Sequence, residues 1–378
     1  MGIVTSDSHS EQPFTNKAKA SMYFDNILAT IGNTPLIKLS RICKEIPGTI
    51  LGKVESFNPG HSAKDRIALY MIEEAERKGK LKPGSTIVEA TSGNTGFSLA
   101  MVCALKGYKC MLTVTSKSSK EKISLLCALG AEVVVCPAEA EPDDPESYYM
   151  RAEQLARDIE NSYYLGQNWN LDNSNAHYHT TGPEIWKQTE GKVTHYVCCV
   201  GTGGTLSGTA RYLKEQNPNV KIIGVDAYGS VLTKYWETGM LDKSEIHPWK
   251  VEGLGKTIIP DNVDFDLIDE FVKVTDRSSA HRTRQLARME GLLMGYSSGS
   301  ALQAVFQIKK SLKPDDVVVV LFPDHGSRYV GKIYDDEWMK QQGFLGTQHP
   351  TSQYDNFKRL YKKYVHKYRR YFRQTLSI

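Results

Sequence analysis

A chain of 378 residues with 40% hydrophobic and 24% charged side chains can bury one large core or two moderate ones, and has the balance of a soluble globular protein. No apolar run approaches the roughly 18 residues of a membrane-spanning helix, and the N-terminus lacks the hydrophobic stretch of a secretory signal, so a cytoplasmic protein is expected. The net charge of +4 comes from the end of the chain: residues 352–378 hold eight Lys or Arg against Asp355, and the rest is mildly acidic, with 39 basic and 42 acidic side chains. The seven cysteines (Cys43, Cys103, Cys110, Cys127, Cys136, Cys198, Cys199) are odd in number and form no CxxC pair. That argues against a disulfide framework and a zinc site. His177 and His179, the closest histidine pair, have no Cys or carboxylate cluster beside them and read as structural or surface residues.

Residues 1–20 are polar and unpatterned and are expected to form a disordered lead. The first unusual stretch is Gly60-His61-Ser62-Ala63-Lys64-Asp65-Arg66. Behind it Ile67, Ala68, Met71, Ile72 and Ala75 recur at helical spacing, with Ser62 placed as the N-cap. A lysine in the first turn of a helix sits where the helix itself carries partial positive charge. Its ammonium pKa should fall, freeing the amine to attack a carbonyl. Beyond it, β-branched runs recur at 86–90, 110–115, 132–136, 195–200, 221–226 and 317–322. Helical patterns lie among them at 97–105, 119–129, 147–159, 205–214, 280–289 and 298–312. This alternation predicts βαβ units and a mainly parallel sheet covered on both faces, with 317–322 as a central, fully buried strand. From Gly346 the composition changes. Tyr354, Phe357, Tyr361, Tyr364, Tyr368 and Tyr371 step by three or four beside the basic residues, which predicts a basic, aromatic helical tail over 346–378. Its expected contacts are its own subunit, a sister subunit or an acidic surface.

In such a sheet ligands gather at the carboxyl ends of the strands, and three loops there are unusual. Thr91-Ser92-Gly93-Asn94-Thr95-Gly96 presents hydroxyls and an amide at a helix start, a cradle for a carboxylate. Gly201-Thr202-Gly203-Gly204-Thr205 presents free N–H groups, small residues and two hydroxyls, which suit a phosphate. It is not the dinucleotide fingerprint, because Leu206 stands where the third glycine belongs, although Asp226 lies about where a ribose-binding acid would; a nicotinamide oxidoreductase is the weaker alternative. Gly295-Tyr296-Ser297-Ser298-Gly299-Ser300 forms the third. An amine nucleophile, a phosphate cup and a carboxylate cup together point to pyridoxal 5′-phosphate acting on an amino acid.

From about Tyr23 to Leu345 the chain resembles the cysteine synthase/cystathionine β-synthase family, the fold-type II pyridoxal-phosphate enzymes of β-replacement. The resemblance rests on IGNTPL (31–36), SxKDR (62–66), TSGNTG (91–96), TTGPEIW (180–186), GTGGT (201–205) and SSGS (297–300). It implies a two-lobed α/β fold of the tryptophan synthase β-like type with mainly parallel sheets. A mobile smaller lobe over about 57–165 and a larger lobe from the rest of 21–345 are expected, in a homodimer without haem or catalytic metal. Carried over by position, Lys64 would form the Schiff base and move protons at the substrate Cα. Asn94 would bond the cofactor's 3′ oxygen, Gly201, Thr202, Gly203, Gly204 and Thr205 its phosphate, and Ser297 its pyridine nitrogen. Thr91, Ser92, Thr95 and Gln167 would grip the substrate carboxylate. The implied reaction replaces the β-substituent of L-serine or O-acetyl-L-serine with a thiol, through an aminoacrylate. Residues 336–345, 290–293 and 224–230 favour a cystathionine β-synthase, joining serine to homocysteine, over a cysteine synthase, joining O-acetylserine to sulfide. Lys256, in Glu252-Gly253-Leu254-Gly255-Lys256, departs from the Tyr usual in cystathionine β-synthases; His61 and Ala90 are also atypical. An alternative of another class is a catalytically weak sensor or scaffold paralogue.

Overall fold

The computed structural model describes residues 23–91 and 93–345. The expected disordered lead, Ser92 and the expected tail helix lie outside the described residues. In chain order the strands are β1 (Leu36–Lys38), β2 (Thr49–Val54), β3 (Thr86–Ala90), β4 (Lys109–Thr115), β5 (Glu132–Cys136), β6 (Ser162–Tyr164), β7 (His195–Cys199), β8 (Lys221–Ala227), β9 (Glu270–Val274) and β10 (Val317–Phe322). The helices are α1 (Lys64–Arg77), α2 (Asn94–Lys106), α3 (Lys120–Ala128), α4 (Tyr148–Asp158), α5 (Asp172–His179), α6 (Thr181–Gln188), α7 (Gly204–Gln216), α8 (Leu232–Thr238), α9 (Asp276–Glu290), α10 (Tyr296–Ile308) and α11 (Asp336–Gln341). The strands form two sheets, ordered β1-β2-β10-β7-β8-β9 and β5-β4-β3-β6. Every ladder is parallel except β1–β2. The expected α/β class with mainly parallel sheets holds.

β10 shows why this sequence makes this sheet. Successive side chains of a strand point to opposite faces. Val318, Val320 and Phe322 pack with Ala301, Leu302, Val305 and Ile308 of α10, while Val319 and Leu321 pack with Leu206, Ala210 and Leu213 of α7. Both faces are dry, so the strand reads as an unbroken apolar run rather than an alternating one. Each such buried side chain stabilises the fold by on the order of 2 kcal/mol. In the smaller sheet Ile87, Leu112 and Val114 lie under Ile67, Ala68, Met71, Ile72 and Ala75 of α1 and Leu99, Val102 and Cys103 of α2. Val88 and Ala90 turn the other way, against Ala152 of α4.

The six strand runs and the helical patterns of the sequence appear with their ends shifted by a few residues. Four strands did not show in the pattern. β1 and β6 have only three residues each, and β9 carries charged residues at Glu270 and Lys273. β2 contains Gly52 and Lys53, which break its apolar run, yet both are forced by packing. A Cβ at Gly52 would lie 2.5 Å from the Phe322 ring, and Lys53 is fully buried against Glu184 at 2.6 Å.

The loop ahead of α1 is stitched to the end of the central strand. Ala63 N–H donates to Pro323 O at 2.8 Å and His325 N–H to His61 O at 3.2 Å, with Ser62 and Asp324 facing each other in an antiparallel bridge. This places Lys64 at the carboxyl edge of the larger sheet.

Candidate functional site

Lys64 is the first residue of α1, and Ala63, already helical at φ −59° and ψ −17°, takes the capping position expected for Ser62. Ser62 is displaced one residue outside the helix because the bridge to Asp324 holds it in place. Its Oγ still accepts the Lys64 N–H at 3.2 Å. Burial pushes the Lys64 ammonium below its ordinary pKa; Cys198 and Asp324 oppose this, and Lys256 adds to it. Burial therefore carries the depression that the helix start alone was expected to give. Among the described residues Nζ has no hydrogen bond and no ion pair, which leaves the amine available.

Asp324, which the sequence reading did not single out, joins three of the expected site segments. Its Oδ2 accepts from Asn94 Nδ2 at 2.9 Å and from the Tyr329 hydroxyl at 2.7 Å. Its backbone carbonyl accepts the Gly295 N–H at 2.8 Å, and a Cβ on Gly295 would fall 1.7 Å from Oδ1. That oxygen has no hydrogen-bond partner although it is buried, and burial raises the carboxyl pKa. Arg328 closes the group, donating to Asn94 Oδ1 and, at 2.8 Å, to Gly60 O. Asn94 thus opens α2 with its amide gripped from both sides. Ser297, the second residue of α10, is buried, and its carbonyl accepts a weak bond from Cys199 Sγ at 3.2 Å. Its hydroxyl has no partner among the described residues.

The loop between β7 and α7 is shaped by glycine. Gly203 has φ +93°, and a Cβ there would meet Val263 Cγ2 at 2.4 Å. On Gly204 a Cβ would meet Asn173 Oδ1 at 2.0 Å, and on Gly201 the Gly253 carbonyl at 2.6 Å. From Gly201 to Thr205 no backbone N–H finds an acceptor among the described residues, and such a row at a helix start is an anion site in waiting. His177 lies on helix α5 and is structural in a specific way. Its Nε2 meets Thr205 Oγ1 at 3.1 Å and its Nδ1 meets Thr181 Oγ1 at 2.8 Å. Burial drops its pKa to about 3, so the ring is neutral.

On the opposite side Thr95 Oγ1 donates to Gln167 Oε1 at 2.8 Å, and Thr91 Oγ1 accepts the Gly93 N–H at 3.4 Å. The segment around Gln167 is held by residues that carried no motif. Asn173 Nδ2 donates to Gln167 O at 2.7 Å and to Thr202 Oγ1 at 3.0 Å, tying this segment to the glycine loop. Asn262 Nδ2 donates to the carbonyls of Gln167 and Asn168, each at 3.1 Å. Glu89 Oε2 accepts the Gln167 N–H at 3.2 Å; burial raises its carboxyl to about 8. Through Asp324 and Asn173 the structure ties together the segments that carry Lys64, Asn94, Ser297, Thr95, Gln167 and the 201–205 loop; Ser92 lies outside the described residues. A usable signal existed for Asp324, the second residue past the central strand. None existed for Asn173 or Asn262.

Residues 27–324 match the family described as pyridoxal-phosphate dependent enzyme. The chain is 46% identical over 338 residues to a cystathionine beta-synthase of Apis mellifera, covering 88% of this chain and 66% of that one. It is 45% identical to the Rattus norvegicus cystathionine beta-synthase, of which it spans 59%, so it covers less than two thirds of these relatives. A cysteine synthase 1 of Neurospora crassa is 41% identical and matched over 89% of this chain and 90% of its own length. Among solved structures, a hydrogen sulfide-producing enzyme from Fusobacterium nucleatum superposes with TM-score 0.75 at 36% identity over 82% of this chain and 99% of the other. An O-ureido-L-serine synthase does so with TM-score 0.76 at 32% identity, over 84% and 99%. With the family match spanning most of the described fold and the same cleft-forming loops inside it, the chain belongs to the pyridoxal-phosphate dependent enzymes.

Proposed function

We propose that this protein performs β-replacement on L-serine or O-acetyl-L-serine, with the joining of serine to homocysteine as the leading reaction and the joining of O-acetylserine to sulfide as the second. The observation that carries the reading is a part-buried, unpartnered Lys64 amine on a segment tied, through Asp324, Asn94, Thr95, Gln167 and Asn173, to the 201–205 loop with its unused N–H groups. The residues present fit pyridoxal phosphate. The loop has no room for a Cβ at Gly201, Gly203 or Gly204 and offers a row of unused N–H donors to an anion. Lys64 would hold the cofactor's aldehyde carbon on Nζ, the 201–205 N–H groups its phosphate, the Asn94 amide its ring oxygen and the Ser297 hydroxyl its ring nitrogen. When bound, the cofactor supplies an electron sink for the pair left as the Cα–H bond breaks.

The remaining work falls to the chain. Thr95 and Gln167, with Thr91 and Ser92, would orient the substrate carboxylate, and the Lys64 amine would take and return the Cα proton, for which a pKa lowered by burial suits it. A neutral hydroxyl at Ser297 leaves the ring nitrogen unprotonated, which favours loss of the β-substituent over competing carbanion chemistry. Closure of the lobe around residues 57–165 over the bound carboxylate would then exclude water. The serine-plus-homocysteine reaction is supported by the identity to the honeybee and rat proteins. The second is supported by the near-complete span of the Neurospora relative. A homodimer in the cytoplasm belongs to the same proposal, the first to be checked by sedimentation; among the described residues no helix is long and apolar enough to cross a membrane.

The test is the visible absorption of the purified protein with L-serine or O-acetyl-L-serine added, beside Lys64→Ala. A cofactor band that changes with serine supports the first reaction; one that changes with O-acetylserine alone moves the assignment to the second. Wild-type turnover in Lys64→Ala refutes the mechanism. A stable cofactor band without turnover on any β-substituted amino acid favours a sensor or scaffold.

A further inference from the structure

The loop 252–256 sets a second lysine in the cleft, and nothing in the chemistry above uses it. Gly253 and Gly255 adopt φ +76° and +81°, turning the chain sharply on either side of Leu254. Lys256 is then fixed at both ends. Its N–H donates to Ser230 Oγ at 3.0 Å, its carbonyl accepts from Val231 N at 3.0 Å, and its Nζ donates to Asn168 Oδ1 at 2.8 Å. Asn168 is almost fully buried and directly follows Gln167, so the ammonium stands beside the segment assigned to the substrate carboxylate. Its charge is felt by both Lys64 and Glu89.

Four other lysines withdrawn from solvent, the fully buried Lys53 and the part-buried Lys122, Lys214 and Lys273, each meet a carboxylate at 2.6–2.9 Å. Lys256 has none among the described residues, and its one partner is a neutral amide that uses one of three donors. A half-buried ammonium without an anion is costly, so such a site is poised for one. The cofactor phosphate already has the 201–205 loop and the α-carboxylate has Thr95 and Gln167, which leaves a third anion to account for. We propose that Lys256 is a specificity-determining residue that binds a second anionic group on the reacting pair. That group is either a phosphate on the β-oxygen of the amino donor or the carboxylate of the incoming thiol. The inference rests on the β-replacement reading.

The experiment compares the holoenzyme with Lys256→Met and Lys256→Arg, after checking that all three hold equal cofactor and melt alike. In one arm O-phospho-L-serine competes with O-acetyl-L-serine, with sulfide as the common nucleophile. In the other, homocysteine competes with 2-mercaptoethanol, with the better donor held constant. The expected result is a selectivity ratio in kcat/KM that falls about tenfold or more in Lys256→Met, chiefly through KM, and is kept by Lys256→Arg. The arm in which it falls identifies the bearer of the anion. A residue that merely held Asn168 in place would weaken both members of each pair alike, so unmoved ratios in both arms overturn the proposal while leaving β-replacement intact. Wild-type protein that turns over no donor and shows no spectral change with any of them overturns both.

Discussion

Arg66, two residues past Lys64, is the basis of a quantitative prediction about what fixes the reactive lysine in place. Its guanidinium is fully buried and donates to Glu55 at 2.6 and 2.9 Å and to Glu184 at 2.6 and 2.8 Å. Burial alone would raise the Glu55 carboxyl, but Arg66 outweighs it and holds the pKa down at about 2. The fall from 4.5 to about 2 corresponds to roughly 3 kcal/mol of preference for the ionised form. In Arg66→Met, Glu55 keeps only neutral donors from Thr34 and Asn58, and Glu184 keeps Lys53. Removing one partner of a buried pair costs about 3–5 kcal/mol, a large share of the ~5–15 kcal/mol by which domains are stable. Urea unfolding followed by far-UV circular dichroism should show this loss, with the m-value unchanged. Glu55→Gln in the Arg66→Met background removes the orphaned charge and should recover about half of it. The linkage runs in one direction: a depressed carboxyl contributes stability that is complete above pH 4.5 and disappears as the pH falls toward 2. The wild type should therefore lose stability over that window more steeply than the double variant. A loss below about 1 kcal/mol in the single variant, or no recovery in the double, would refute the buried-pair argument.

Two further predictions concern the cleft. In Gly204→Ala the added methyl would lie 2.0 Å from Asn173 Oδ1, displacing the amide that joins the glycine loop to Gln167. The strain of about 1–3 kcal/mol should appear as roughly tenfold weaker retention of cofactor, read as absorbance per subunit after dialysis; wild-type retention would show that the loop does not need this approach. Glu89 acts in the opposite sense from Glu55. Its folded pKa is raised to about 8 from 4.5, so the stability it contributes is complete below pH 4.5 and falls away as the pH rises through 8. Glu89→Gln should flatten the decline in melting temperature between pH 5 and 8, and an unchanged slope would remove Glu89 as its source.

The larger sheet was legible where burial is complete on both faces, as at 317–322, because parallel strands sealed by helices reveal themselves as unbroken apolar runs. β2 failed the same reading for reasons that lie in its neighbours. Glycine at 52 makes room for the Phe322 ring, and lysine at 53 exists for Glu184, 131 residues away. Helix α6 was hidden by Gly182 and Pro183 in its first turn. A Cβ on Gly182 would lie 2.6 Å from the Tyr212 Cβ, so the glycine is a packing requirement of α7 rather than a helix breaker. Local pattern records what a segment needs for itself and misses what it yields to a partner.

The same division runs through the cleft. Lys64, the 91–96 segment and the 201–205 loop could be found because each is a contiguous run at a strand's carboxyl end, where the physics of helix starts and free N–H groups is local. Asp324 works across 230 residues to reach Asn94, and its backbone meets Ser62 and Gly295, so no window around it contains its purpose. Its position still carried information. In a sheet of order β1-β2-β10-β7-β8-β9 the end of β10 lies centrally, and the loops that carry Lys64 and Ser297 both return to it. A polar residue just past the most apolar strand is therefore the natural junction for such loops. Asp324 is buried with one oxygen unpartnered because it occupies that junction, and the Asn94 amide is fixed because Asp324 and Arg328 hold it from both sides.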